Sequence, residues 1–395
     1  MIRSLTVVSV VGWFVLSEVG AAYPEPYQPT EDAQVLQRLS FRASDPVAHE
    51  LDSLRTNLRR NPRDLESAVK LATRYIEQGR SEGDPRFLGQ AQAVLSPWWS
   101  EPTPPPAALL LRATIRQNAH EFNEALIDLD QVLAAEPNNA QAWLTKASIL
   151  QVQARYDEAR RACQRLTRLA SAHVLLGCLS DIAGVTGQSM KSRELLRQVL
   201  SETPLSGREH IWVATILAET ASRTGAIREA EKSFAEAFKV GTKDQYLLGA
   251  YADFLLDQCR YQDVMSLLRS ETKADGLLLR LALAEQALKL PIFQNHTAEL
   301  AARFTAARER GTTVHVREEA RFTLALLHDA RRALPLAQAN WKVQREPADA
   351  RILLESALTA KNSPAAQPVL DWMTSNHVED VHLQQLAKQI QKAPF

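Results

Sequence analysis

Between Pro106 and Leu169 the apolar positions form two runs of one design laid end to end. Ala113 matches Ala147, Phe122 matches Tyr156, Glu124 matches Glu158 and Ala125 matches Ala159, every pair 34 residues apart. A constant offset of this kind predicts a repeated unit. The first unit stops at Glu136-Pro137-Asn138-Asn139 and Ala140-Gln141-Ala142-Trp143 opens the next, so a proline-stopped helix leads straight into a new one. The predicted unit is a hairpin of two antiparallel helices. Helices that touch along their length need small side chains where the backbones approach, and Ala113, Ala125, Ala147 and Ala159 supply them. Phe122 and Tyr156, just after each turn, supply rings that close the hairpin end against its neighbour.

The design continues on both sides of this pair. Upstream, Asp45-Pro46 predicts a helix start and Asn61-Pro62 its end, giving a capping helix over residues 45–61. From residue 62 to 373 the pattern predicts about eight hairpins, several of them degenerate. Residues 374–395 read as an amphipathic C-terminal capping helix with Val381, Leu383, Leu386 and Ile390 on one side. Two turns look enlarged, Gly79 to Pro85 and Leu290 to Thr297, and the first is expected to be an exposed loop. Trp98 and Trp99, on a proline-rich segment, are expected to pack into the seam between units, where their area is best covered.

The order aromatic or leucine, small residue, aromatic, alanine, terminal proline is met at Leu109, Ala113, Phe122, Ala125 and Pro137. All but the proline recur at Trp143, Ala147, Tyr156 and Ala159. In this the chain resembles the tetratricopeptide repeat. Where that family has a turn glycine, this chain has His120 in one unit and Arg155 or its neighbour in the next, at some cost in turn stability. The resemblance implies an all-α, right-handed superhelical solenoid of antiparallel helical hairpins. It also implies a concave groove lined by the first helices, with Gln117, Asn118, Gln151, Asp181, Trp212, Glu219, Arg223, Tyr246 and Asp253 facing inward. Asp181, Glu219 and Asp253 then take equivalent places in three consecutive units. They form either an acidic stripe suited to a peptide bearing Lys or Arg, with Trp212 and Tyr246 beside it, or an ordinary solvated face. The family's clamp for a chaperone's terminal carboxylate is not implied, because Val69, Leu110 and Leu144 stand where it needs polar groups.

The N-terminus changes the setting. Arg3, the uncharged apolar run Leu5 to Leu16, and the small residues Gly20 and Ala22 have the layout of a secretory signal peptide over residues 1–22. The run is short for a membrane span, and an uncleaved anchor is the competing reading. Residues 23–44, interrupted by Pro24, Pro26 and Pro29, read as a flexible lead-in. Export places the mature chain in the periplasm of a bacterium or outside the cell, with no membrane span after cleavage. Lys and Arg number 46 against 46 for Asp and Glu, so no basic surplus points to nucleic acid or an anionic membrane. Only 14 glycines in 395 residues favour helix over strand.

In an oxidising compartment cysteines take on another meaning. Cys163 and Cys178 lie at similar distances either side of a predicted turn near Ala170 to Ala172. They are either bridged or simply buried as small hydrophobes, and their Cα separation decides. Cys259 has no evident mate. No nucleophile elbow, metalloprotease helix, phosphate-binding loop or paired C-x-x-C occurs. His377 and His382 are five apart, which does not place them on one helical face, so no metal site is expected there. Asn295-His296-Thr297 matches a glycosylation acceptor of a eukaryotic secretory pathway.

These observations predict a non-enzymatic scaffold without cofactor or metal, holding a peptide or protein segment in its groove. Two alternatives stay open. One is a catalytic or metal-dependent protein using the two enlarged loops and His296. The other is a structural homo-oligomer.

Overall fold

The structure, a computed structural model, describes residues 31, 34, 46–202, 205–311 and 315–392. The expected signal peptide lies outside the described residues, as does most of the lead-in. The chain divides after Leu39. Of the first part only Glu31 and Gln34 are described, the Gln34 N–H donating to the Glu31 carbonyl at 3.0 Å. Every described helix lies in the second part.

Among the described residues every regular element is a helix. Helix α1 (Pro46–Arg60) precedes a hairpin of α2 (Leu65–Glu82) and α3 (Arg86–Val94), followed by the short α4 (Ser96–Trp99). The second hairpin is α5 (Pro106–Asn118) with α6 (Phe122–Ala135), and the third is α7 (Ala140–Val152) with α8 (Tyr156–Gln164). Then come α9 (Ala172–Val185) with α10 (Ser189–Glu202), α11 (Gly207–Arg223) with α12 (Ile227–Phe238), and α13 (Gln245–Asp257) with α14 (Tyr261–Leu268). The last three are α15 (Asp275–Ala287) with α16 (Phe293–Glu309), α17 (Val316–Ala325) with α18 (Ala330–Val343), and α19 (Pro347–Thr359) with α20 (Gln367–Ser375). A final helix, α21 (Val381–Lys392), ends the described chain. The expected count of about eight hairpins becomes nine among the described residues. The weakest unit in sequence, α19 and α20, still closes through a 3-10 turn at Ser363–Ala366.

The expected all-α array of hairpins is therefore what the chain forms, for the expected reason. Ala113, Ala125, Ala147 and Ala159 are all fully buried where paired helices meet. Trp98 is buried in the first core cluster with Leu71 and Tyr75, and the Arg116 guanidinium lies over the half-buried Trp99 at 5.9 Å. Both tryptophans thus pack into the array.

Each hairpin turns on one residue in the left-handed region: Gly83, His120, Ala154, Gly187, Gly225, Cys259, Lys289, His328 and Lys361. In most of them a nearby N–H reaches back to close a helix-ending loop, as from Glu121 to the Arg116 carbonyl (2.9 Å) and from Arg155 to Leu150 (2.8 Å). The turn residue of the third hairpin is Ala154, one before Arg155. Six of the nine positions carry a side chain that this backbone disfavours by about 1–2 kcal/mol. Replacing the exposed Lys289 or Cys259 by Gly removes that cost and adds back roughly half of it as unfolded-state freedom. Each change is expected to raise stability by about 0.5–1 kcal/mol in urea unfolding. A fall in stability would show that the side chain, not the backbone, governs the turn.

Hairpins far apart in the array also touch. Gly83 presses on Ala274, a Cβ placed there lying only 2.8 Å from the alanine's, and Gln245 donates to the Ser81 carbonyl at 3.2 Å. Arg208 pairs with Glu77 at 3.3 Å. The first hairpin therefore meets the N-termini of α11, α13 and α15. Further on, the Arg345 N–H donates to the Val152 carbonyl (2.7 Å) and the Trp372 indole to the Tyr156 hydroxyl (3.2 Å). The third hairpin thus meets the ninth. The hairpins coil, and successive turns of the coil are in contact.

This coiling corrects the expectation of an exposed loop at Gly79 to Pro85, and the second enlarged turn is shorter than expected. Residues 79–82 belong to α2, Gly83 presses on Ala274, and Asp84 is buried beneath Arg86. Within Leu290 to Thr297, α16 already begins at Phe293, and the His296 Nδ1 meets the buried Glu285 carboxylate at 2.8 Å.

Candidate ligand-binding trough

The first helices of the later hairpins face a common interior. A cavity of about 190 Å³ opens there between α11, α13, α15, α17 and α19. Asp181, Glu219 and Asp253 each stand six residues before the left-handed turn residue of their hairpin, Gly187, Gly225 and Cys259, so they are structurally equivalent positions.

Their surroundings are not equivalent. Asp253 accepts from Arg280 of α15 and from Arg321 of α17, the latter at 2.6 Å, and is neutralised. Burial works against its charge, but the two guanidiniums outweigh burial and hold the carboxyl well below its usual range. Asp181 and Glu219 have no such pair. Burial pushes Asp181 up against the hydrogen bond from Gln151. Burial, with Asp181 adding its like charge, lifts Glu219 to about 7 although Arg223 favours the charged form. The stripe expected from the resemblance is therefore broken. Its Asp253 end is closed by arginines, while Asp181 and Glu219 remain short of positive charge.

Tyr246, in the first turn of α13, completes this spot. Its hydroxyl donates to the Glu219 carboxylate at 3.0 and 3.1 Å while 64% of its surface is open to water. The Glu219 charge, with burial, holds the phenol well above its ordinary range, so it remains a donor. Arg223 donates to Thr220 at 3.1 Å, and its buried Nε has no hydrogen-bond partner.

The remaining inward positions fall elsewhere. Gln117 donates to Ser148 at 3.3 Å, and Asn118 turns back to the Thr114 carbonyl of its own helix at 2.7 Å. Trp212 is half-buried over Gly177, where a Cβ would stand 2.8 Å from the ring. Its ring packs against Gly177 of α9. Cys163 and Cys178 are joined, with Cα atoms 5.9 Å apart, and the bond lies within the core of the third and fourth hairpins. Cys259 is free and exposed.

Sequence reasoning missed the opposite wall. Glu346, just before α19, pairs with Arg317 at 3.1 Å. Burial first, and then the neighbouring Asp349, push it up, and Asp181 adds to the shift. Arg280 of α15 and Arg321 of α17 were missed as well. Nothing in either arginine's own hairpin marks it, because Arg280 lies one hairpin beyond Asp253 and Arg321 two.

No protein-family model matches this sequence, and no curated protein matches it. Solved structures do. One is the crystal structure of the APC/C hetero-tetramer Cut9–Hcn1, 15% identical with a TM-score of 0.39, over 78% of this chain and 52% of that one. The chain thus spans about half the length of that protein. A tetratricopeptide repeat protein from Parabacteroides merdae matches at 15% identity and a TM-score of 0.33, over 74% of this chain and 98% of that one. The yeast Tom70 structure matches at 8% identity and a TM-score of 0.27, over 88% and 94%. The assignment of an all-α array of hairpins rests on this chain's own helices.

Proposed function

We propose that this protein is a non-enzymatic scaffold that holds an extended segment of a partner polypeptide in its trough, with a Lys or Arg side chain seated against Glu219, Asp181 and Tyr246. One observation carries the reading. A large aromatic ring stands uncovered with its hydroxyl tied to Glu219, a carboxylate that lines the cavity and has no ion-pair partner. A cationic side chain over that ring gains from the ring face and from the carboxylates together. The setting we propose is exported, periplasmic if the source is bacterial, with a role in the cell envelope. The layout of residues 1–22 and the bridged Cys163 and Cys178 support it.

The test uses calorimetry with a short peptide of alternating lysine and alanine, and an affinity capture of partners with the mature chain. Tyr246→Ala and Glu219→Gln are each expected to weaken binding by about tenfold. Binding is also expected to strengthen from pH 6 towards pH 8, as Glu219, lifted to about 7, loses its proton and gains charge. Affinity that is indifferent to both substitutions and to pH would place the ligand elsewhere.

A further inference from the structure

The segment from Arg345 through α21 shares one core with the preceding hairpin. Leu353, Leu354, Val369, Leu383 and Ile390 are buried in one cluster with Ala320 of α17 and with Leu334 and Trp341 of α18, so it stays joined to that hairpin. Its contact with the turns of the third to sixth hairpins is a separate seam, where Ala154 packs against the cluster and the remaining ties are individual polar bonds. The Arg345 N–H donates to Val152 O at 2.7 Å, and the Trp372 Nε1–H to the Tyr156 hydroxyl at 3.2 Å. Arg351 likewise donates to Asp257 at 2.8 Å, and in the other direction the Ser189 N–H donates to the Glu379 carboxylate at 2.9 Å. At Gly187 the approach is so close that a Cβ would lie 2.7 Å from that of His377. Bonds of this kind are each worth little net, whereas the apolar packing inside each hairpin is continuous. Parting the seam leaves every helix intact, so it costs less than unfolding the helices on either side.

The seam also bounds the trough. Glu346 stands on the C-terminal side of it, and Asp181 and Glu219 stand on the other. We propose that the segment from Arg345 through α21 is a clasp, which parts from the turns of the third to sixth hairpins as one body and closes over a polypeptide in the trough. The proposal rests on the trough reading for its ligand, and on the seam alone for its motion. A cationic side chain between Glu346 and the Asp181–Glu219 pair joins the two walls, so occupancy and closure favour each other.

Hydrogen exchange on the full chain tests this at two amides that point across the seam, Arg345 and Ser189. Both are expected to exchange with one common protection, lower than that of amides inside α7 and α19. Tyr156→Phe, which removes the acceptor of Trp372, is expected to lower both by the same factor of about five, leaving the helix interiors unchanged. Glu379→Ala, at the other end of the seam, is expected to lower the Arg345 amide's protection by a like factor. Two amides that exchange independently, or only with global unfolding, overturn the clasp. The alternating lysine–alanine peptide is expected to raise protection at both amides, and less so in Asp181→Asn. A peptide that binds without changing them overturns the coupling. A peptide that fails to bind overturns the trough reading, while joint exchange of the two amides still upholds the clasp.

Discussion

Asp128→Ala is expected to cost about 3–5 kcal/mol of stability, the loss seen when one partner of a buried charge pair is removed. Asp128 lies on α6 and is only 1% exposed. Its carboxylate takes both Nε (3.0 Å) and Nη2 (2.7 Å) of Arg112, and Nη1 of Arg116 at 2.6 Å. Arg112 in turn donates to the Trp99 carbonyl, which ties the segment carrying the paired tryptophans to α5. Alanine leaves two guanidiniums without the carboxylate that neutralises them. Asp128→Asn keeps an acceptor oxygen and is expected to cost less. Urea unfolding measures both. A loss below about 1 kcal/mol for the alanine variant would mean that the arginines swing out to solvent, and that the cluster contributes no more than a surface pair.

Replacing Cys163 and Cys178 together by alanine is expected to cost about 3 kcal/mol, the chain-entropy value for the closed loop their separation of 15 residues defines. The bond crosses from α8 to α9, so it fastens the third hairpin to the fourth. Each hairpin relies on its neighbours, and the loss should appear first as faster hydrogen exchange in those two units. The bridge is buried, so reductant acts on it only when the chain opens. Unfolding midpoints measured with and without reductant should differ for the native chain and coincide for the double variant. Equal stability of the two proteins under oxidising conditions would show that the cross-link restrains nothing the packing had not already fixed.

Both sites differ in how far the sequence disclosed them. The cysteine pair was visible as two thiols astride one turn, lacking only the Cα distance. The Asp128 cluster was not, because its members occupy different helices and nothing in either helix alone marks them. In the trough, the equivalence of Asp181, Glu219 and Asp253 was legible from the period. The arginines that neutralise one of them and spare the other two were not, since Arg280 and Arg321 lie on later hairpins whose own pattern gives no reason to look back. Trp212 shows the converse. Its position faces inward by alignment, yet Gly177 leaves a recess that the ring fills.

By itself the sequence determined the helical hairpin, its period, the alanines at which paired helices touch and the place of most turns. These depend on contacts within a hairpin or between neighbours, so each unit writes them again in its own residues. Only the tertiary structure decided that the coil closes on itself, that the first hairpin's loop is packed against the starts of α13 and α15, and that the last hairpins lie across the turns of the third to sixth. The reason is cumulative. A small rotation from each hairpin to the next sets which distant turns meet, and a rotation summed over several units leaves no mark in any one of them.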